Sequence, residues 1–318
     1  MSKIIPIIST KGGAGKSTKA GNIAGFCADA GLKTLLIDGD HSQPTASSLF
    51  KLEYEAPNGL FELLMQLTDL SRSDTIISRS VIPNLDIIIS NDPHDRLPAA
   101  ILHAPDGRMR LRNILQHPLF ASYDVIIIDS KGAASVMLET ILLAATDYAV
   151  GIIKPILPDT REFLRGTLGL IGGLVPLTAY GIPLPEIHIL ANCVEDTVLD
   201  RATLTELTQI IDQKAYPFAE SISLSLLKTA VPKLEIFKNG HAQGQPVHRL
   251  EYRTQRKTPA AAVIMHHLVS ELFPEWKTRF DDVLKREVRP WILLCRKGGS
   301  HRSKQASPVS VLLSKRTM

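Results

Sequence analysis

The chain has 318 residues, of which 44% are hydrophobic and 21% charged, so disorder as the main state is excluded and a sizeable core is available. Lys and Arg number 36 against 32 Asp and Glu, for a formal charge of +4, but the excess is local. From Lys285 onward nine bases face one acid, Glu287, and the body before them is mildly acidic.

Residues 1–9 have no signal-peptide pattern; Ile4–Ile8 reads as a first strand. Ser9-Thr10-Lys11-Gly12-Gly13-Ala14-Gly15-Lys16-Ser17-Thr18 follows it and opens a helix over about 17–30. A glycine-rich turn between strand and helix is the context a phosphate loop requires. Its glycines let backbone N–H groups turn inward on phosphate oxygens, and the helix N-terminus adds a favourable dipole. Residues Gly12, Gly13, Ala14, Gly15, Lys16, Ser17 and Thr18 are the expected nucleotide cradle. Lys16 would reach the β- and γ-phosphates of ATP, and the Ser17 hydroxyl would reach Mg²⁺.

Thr34–Ile37 predicts a second strand, ending in Asp38-Gly39-Asp40 where ligands bind in open α/β sheets. Leu85–Ile89 is a third strand and Val125–Ile128 a fourth, running into Asp129. An apolar strand ending in Asp is a Walker B pattern, placing that carboxylate by the loop hydroxyl and a magnesium-bound water. Tyr148–Ile153 and Ile187–Leu190 complete the strands. Helices are expected near 58–66, 108–116, 135–145, 159–171, 201–212 and 258–272. The longest uncharged stretch, Gly166–Pro185, is rich in Gly and Pro and reads as a helix end plus loop, not a membrane span. Continuous apolar strands separated by helices predict an α/β fold, a mostly parallel twisted sheet covered on both faces. The expected division is one domain over 1–288 and a basic, poorly ordered tail over 289–318. Cys27, Cys193 and Cys295 form no C-x-x-C pair, which excludes a zinc knuckle or disulfide framework and fits a cytoplasmic location.

The phosphate loop departs from the usual G-x-x-x-x-G-K-[ST]: Thr10 stands at the first glycine position, and a second lysine, Lys11, follows. This K-G-G-x-G-K-[ST] form resembles the deviant Walker A group of P-loop ATPases, which includes the ParA/Soj partition ATPases and the division-site protein MinD. The resemblance covers roughly residues 3–275 and implies that Lys11 crosses an ATP-sandwich homodimer to the partner's phosphates, neutralising transition-state charge. It further implies that Asp40 orients the attacking water, while Asp38 belongs to the magnesium shell with Ser17 and Asp129. In many members Gln follows two residues after the second Asp; here His41 and Ser42 precede Gln43. After Asp129 the chain reads Ser130-Lys131-Gly132-Ala133, where Gly132 would let backbone approach the γ-phosphate; no role is assigned to Lys131. By the same resemblance Asn192 and Pro232 would contact the adenine.

Within the group, the absence of a cysteine soon after Asp129 argues against nitrogenase iron protein, and a single loop argues against the duplicated arsenite ATPase. Partition ATPases fit best. They dimerise on ATP, bind nonspecific DNA at the nucleoid, and are released when a ParB-like cargo-bound partner stimulates slow hydrolysis. Arg249, Arg253, Arg256 and Lys257 are the candidate phosphate contacts, the last three sharing one face if helical. The alternatives are a MinD-like membrane-positioning ATPase, through the bases flanking Trp291–Cys295, and a metabolic ATP-dependent enzyme of the same fold.

Overall fold

Uninterrupted apolar runs form the centre of the molecule. The sequences KIIPII, TLLIDG, VIIIDS and YAVGII are almost entirely buried, as strands covered on both faces must be. The structure, a computed structural model, describes residues 2–40, 45–92 and 94–285. Its strands are β1 (Lys3–Ile8), β2 (Thr34–Gly39), β3 (Leu52–Tyr54), β4 (Ser78–Ser80), β5 (Leu85–Ile88), β6 (Val125–Ser130), β7 (Tyr148–Ile153), β8 (Glu186–Val194), β9 (Leu224–Leu226) and β10 (Val231–Pro232). They form one sheet in the order β10-β8-β7-β1-β6-β2-β5-β4-β3, with β9 also on β8. All pairs are parallel except β3–β4 and β4–β5.

Side-chain alternation divides the core. Ile5 and Ile7 point to one face, with α1 (Lys16–Asp29) and the helix Ala261–Leu272. Ile4 and Ile8 point to the other, beneath Val136–Leu143 and the helical run that starts at Leu157. Each fully buried Ile or Phe is worth about 1.5–3 kcal/mol over its exposed state, so these two faces fix the strand register. That register pairs Asp38 with Asp129 and Gly39 with Ser130, delivering two carboxylates side by side at the C-terminal edge. Because β6 and β7 flank β1 on opposite sides, the chain reverses its winding there and leaves a crevice at the strand ends.

The strand expectations hold for the six long runs; β3, β4, β9 and β10 are additional. The helix expected over 159–171 is present but changes hydrogen-bonding period, with a π turn at Phe163–Thr167 between Leu157–Glu162 and Leu168–Gly172. Leu157–Tyr180 is the one helical run among the described residues long and apolar enough to cross a membrane. Its Phe163, Leu168 and Ile171 are packed against the sheet. A helix Lys277–Lys285 closes the described chain. The expected tail lies outside the described residues.

Candidate functional site

The loop between β1 and α1 closes on itself as the glycines permit. Gly13 and Gly15 take φ of +72° and +95°, left-handed values that side chains disfavour. An added Cβ at Gly15 would also lie 2.4 Å from Asn192 Nδ2. Lys16 is buried and donates from Nζ to the Lys11 carbonyl at 3.2 Å. Burial lowers its pKa, against the opposing pull of Asp129 and Asp40. Gly132 meets the loop from the end of β6: a Cβ there would stand 2.8 Å from Gly12 Cα and 2.9 Å from Lys16 Nζ. Together Gly12, Gly13, Gly15, Lys16, Ser17, Thr18, Asp40, Ser130, Lys131 and Gly132 surround a cavity of about 620 Å³. The sequence-predicted phosphate residues are thus brought together, except Ala14, which is buried behind the loop and turns its carbonyl to Asn192.

The carboxylates divide into two kinds. Asp38 is fully buried and occupied: Oδ2 accepts from Ser47 N and Ser47 Oγ, both at 2.7 Å, and Oδ1 accepts from Asp40 N at 3.1 Å. Burial raises its pKa to about 6 despite these bonds. Asp129 is also fully buried, yet among the described residues no donor meets either oxygen in hydrogen-bond geometry. Burial and neighbouring Asp38 raise its pKa, while Ser17 and Lys16 lie close enough to favour the charged form. A pair of orphaned carboxylate oxygens beside a serine hydroxyl fits Mg²⁺, which keeps several waters and takes only one or two carboxylates alongside phosphate oxygens. Ser17 and Asp129 would hold it, with Asp38 anchoring the adjoining strand end from behind; the ion would supply charge neutralisation at the phosphates. Asp40 lines the cavity, half-buried. Positions 41–44, with Gln43, lie outside the described residues.

A second cavity, of about 610 Å³, adjoins the loop and includes Gly15, Lys19, Lys154, Asn192, Pro232 and Phe237. Pairing of β8 with β10 sets Asn192 opposite Val231, so Asn192 and Pro232 do converge. Asn192 Nδ2 donates to Ala14 O at 2.7 Å, while Oδ1 is buried without a donor. Lys19 and Phe237 were not evident from the sequence. Lys19 Nζ sits 3.6 Å from the Phe237 ring centroid, and burial lowers its pKa to about 7. The only sequence signal was a lysine one turn into an otherwise apolar helix face.

The π turn holds the other end of the loop. Thr10 N donates to Thr167 Oγ1 at 3.2 Å, the two hydroxyls lie 2.8 Å apart, and Thr10 Oγ1 donates to Glu162 Oε1 at 3.2 Å. Thr10 therefore stands in place of glycine because its hydroxyl has partners. Glu162 and Thr167, five apart, have no spacing motif to reveal them.

The basic candidates divide between one structural residue and three exposed ones. Arg249 is a structural residue: its guanidinium grips Asp29 at the end of α1, with Nε 2.6 Å from Oδ2, and only 12% of its side chain is exposed. Burial alone would raise Asp29, but hydrogen bonds from Arg249 and His248 hold its pKa at about 2. Arg256 pairs with Glu251 at 2.6 Å, and residues 253–257 are irregular chain and bends, not a helix. The segment has charges at helical spacing but no apolar stripe to bury, and Pro259 follows. Arg253 and Lys257 are exposed.

Among known proteins, residues 2–157 match the AAA domain family. PomZ, a cell division protein of Myxococcus xanthus, is 31% identical over 157 residues, which are 49% of this chain and 46% of that protein. The tyrosine-protein kinase CpsD of Streptococcus pneumoniae is 31% identical over 148 residues, 46% of this chain and 61% of that one. The chain spans about half the length of the curated relatives it matches. Among solved structures, apo McdA superposes with TM-score 0.66 at 19% identity over 90% of this chain and 99% of its own. MinD from Pyrococcus horikoshii, complexed with Mg-ADP, gives 0.63 at 19% over 88% and 99%. The described chain has the fold of the MinD P-loop NTPases, and over residues 2–157 it is similar to the AAA domain family.

Proposed function

We propose that the chain is a Mg²⁺-dependent ATPase that dimerises on ATP, binds DNA without reading its sequence, and uses hydrolysis to partition or position a cargo. The observation that carries this reading is the division of labour between two lysines in one loop. Lys16 is buried at the pocket floor against the Lys11 carbonyl, and the Lys11 side chain is exposed. One lysine serves the chain's own phosphates, and the other is placed to serve a second copy. The orphaned oxygens of Asp129 support magnesium, and Asn192 with Pro232 supports a base beside the loop.

In this mechanism Lys16 and the backbone N–H groups of 12–17 bind and orient the phosphates. Asp40 holds the attacking water and takes up its proton at the carboxylate. Lys11 from the second copy neutralises charge developing on the leaving oxygen. Release from DNA and the return to monomers follow hydrolysis, stimulated by a ParB-like protein on the cargo. Two relatives named for cell division and chromosome partitioning, PomZ and the ParA of Myxococcus xanthus, favour this use over phosphorylation of tyrosine.

Sedimentation of the full chain with a nonspecific duplex, in parallel with anionic liposomes, tests the reading. Co-sedimentation with DNA in ATP but not ADP is expected. DNA binding that ignores the nucleotide contradicts it, and ATP-dependent retention on liposomes alone favours the MinD-like alternative.

A further inference from the structure

Lys131 has no counterpart in the roles assigned above, yet it follows the strand that carries Asp129 and lines the same phosphate cavity as Lys16 and Ser17. Its position is fixed from beneath. Gly132 packs so closely on Gly12 that no side chain fits between them, which sets the backbone of 131–132 against the loop. Its ammonium is held on the other side. Lys131 Nζ lies 3.7 Å from Asp95 Oδ1, with side chains 30% and 58% exposed. An exposed pair at that separation is weak and readily exchanged. The terminal phosphate of a nucleoside triphosphate offers a denser negative charge than one carboxylate, and three acceptor oxygens.

Asp95 also stands at a junction. Its backbone N donates to Asp92 O at 3.2 Å, and Asp92 Oδ2 accepts from Leu97 N at 2.7 Å, fixing the start of the helix Leu97–His103. Just upstream, Ser90 Oγ donates to the Asp40 carbonyl at 2.8 Å and Ser90 N donates to Ser47 Oγ at 3.0 Å, the hydroxyl that serves Asp38. Ser90 thus touches the chain at Asp40, and Asp95 touches it at Lys131.

We propose that Lys131 is a binding residue for the terminal phosphate, supplied by the chain itself, and that Asp95 competes for it. With a triphosphate bound, the ammonium leaves Asp95 for the γ-phosphate oxygens; with a diphosphate it returns. Lys131 thereby discriminates ATP from ADP before any second copy arrives. This rests on the nucleotide reading of the cavity.

The test is a titration of the full chain with a nonhydrolysable ATP analogue and with ADP, each with Mg²⁺, in Lys131→Met, Lys131→Arg, Asp95→Asn and the Lys131→Met/Asp95→Asn pair. Loss of one charge-assisted contact lowers triphosphate affinity roughly tenfold in Lys131→Met and leaves ADP affinity within about twofold. Lys131→Arg keeps most of the preference. Asp95→Asn raises triphosphate affinity about threefold, and only while Lys131 is present. Equal changes for the two nucleotides in Lys131→Met, no change in either, or an Asp95→Asn gain that persists without Lys131 would overturn the proposal. Failure of the unsubstituted chain to bind either nucleotide would instead overturn the nucleotide reading beneath it.

Discussion

Asp129 presents two buried oxygens with no donor, an arrangement that favours the folded chain only if something positive comes to meet them. Asp129→Asn removes the charge while keeping the shape. The substituted chain should be as stable as the parent or more so, and should lose the magnesium dependence of ATP affinity. Titration with labelled ATP in Mg²⁺ and in EDTA reads this out; an unaltered difference between the two conditions contradicts the assignment. Arg249 has the opposite character, since its partner is present. Breaking a largely buried pair removes the guanidinium from Asp29, so Arg249→Ala should lower stability by about 2 kcal/mol in urea unfolding, whereas Lys257→Ala should leave it unchanged. The pH dependence follows from the same pair. Asp29 sits at about 2 against an ordinary 3.8, so its contribution is complete above the ordinary value and lost as pH falls through 2. Arg249→Ala should flatten stability in that window; an unchanged acid limb would show that another group carries it.

At the scale of elements, the long strands were legible because burial on both faces leaves an unbroken apolar run. Their order and register bring Asp38 and Asp129 together, and the two aspartates were legible as strand ends. The short strands Leu52–Tyr54 and Ser78–Ser80, at one end of the sheet, were not. They span three residues each and are partly exposed, so their pattern matches that of loops. The π turn was equally silent, because one extra residue in a helical period leaves no composition signal. Its consequence is testable. Thr167→Val removes the hydroxyl that accepts from Thr10 N, leaving a buried donor unpaired at about 1 kcal/mol or more. ATP affinity should fall about fivefold and recover in Thr167→Ser. Equal affinity in all three chains would mean that the π turn does not hold the loop. Arg253, Arg256 and Lys257 share one face only if helical, and their segment lacks the apolar stripe that makes a helix pack.

For the whole molecule, the net charge of +4 conceals an acidic body and a basic end. With Arg249 and Arg256 engaged by Asp29 and Glu251, the DNA contact proposed for the body falls to exposed bases such as Arg253 and Lys257. Under that proposal, affinity at each copy is low, and pairing two copies through ATP makes binding appreciable. The central claim is therefore that Lys11 acts in the second copy's site. It is tested most directly by mixing Lys11→Ala with Asp40→Ala and measuring ATP turnover. Each variant alone should be inactive, one lacking the crossing lysine and the other the water-holding carboxylate. Their mixture should recover roughly a quarter of the parental rate, because half of the dimers carry one site with its own Asp40 and the partner's lysine. A mixture as inactive as its components, or a Lys11→Ala chain that turns over normally by itself, would contradict the account.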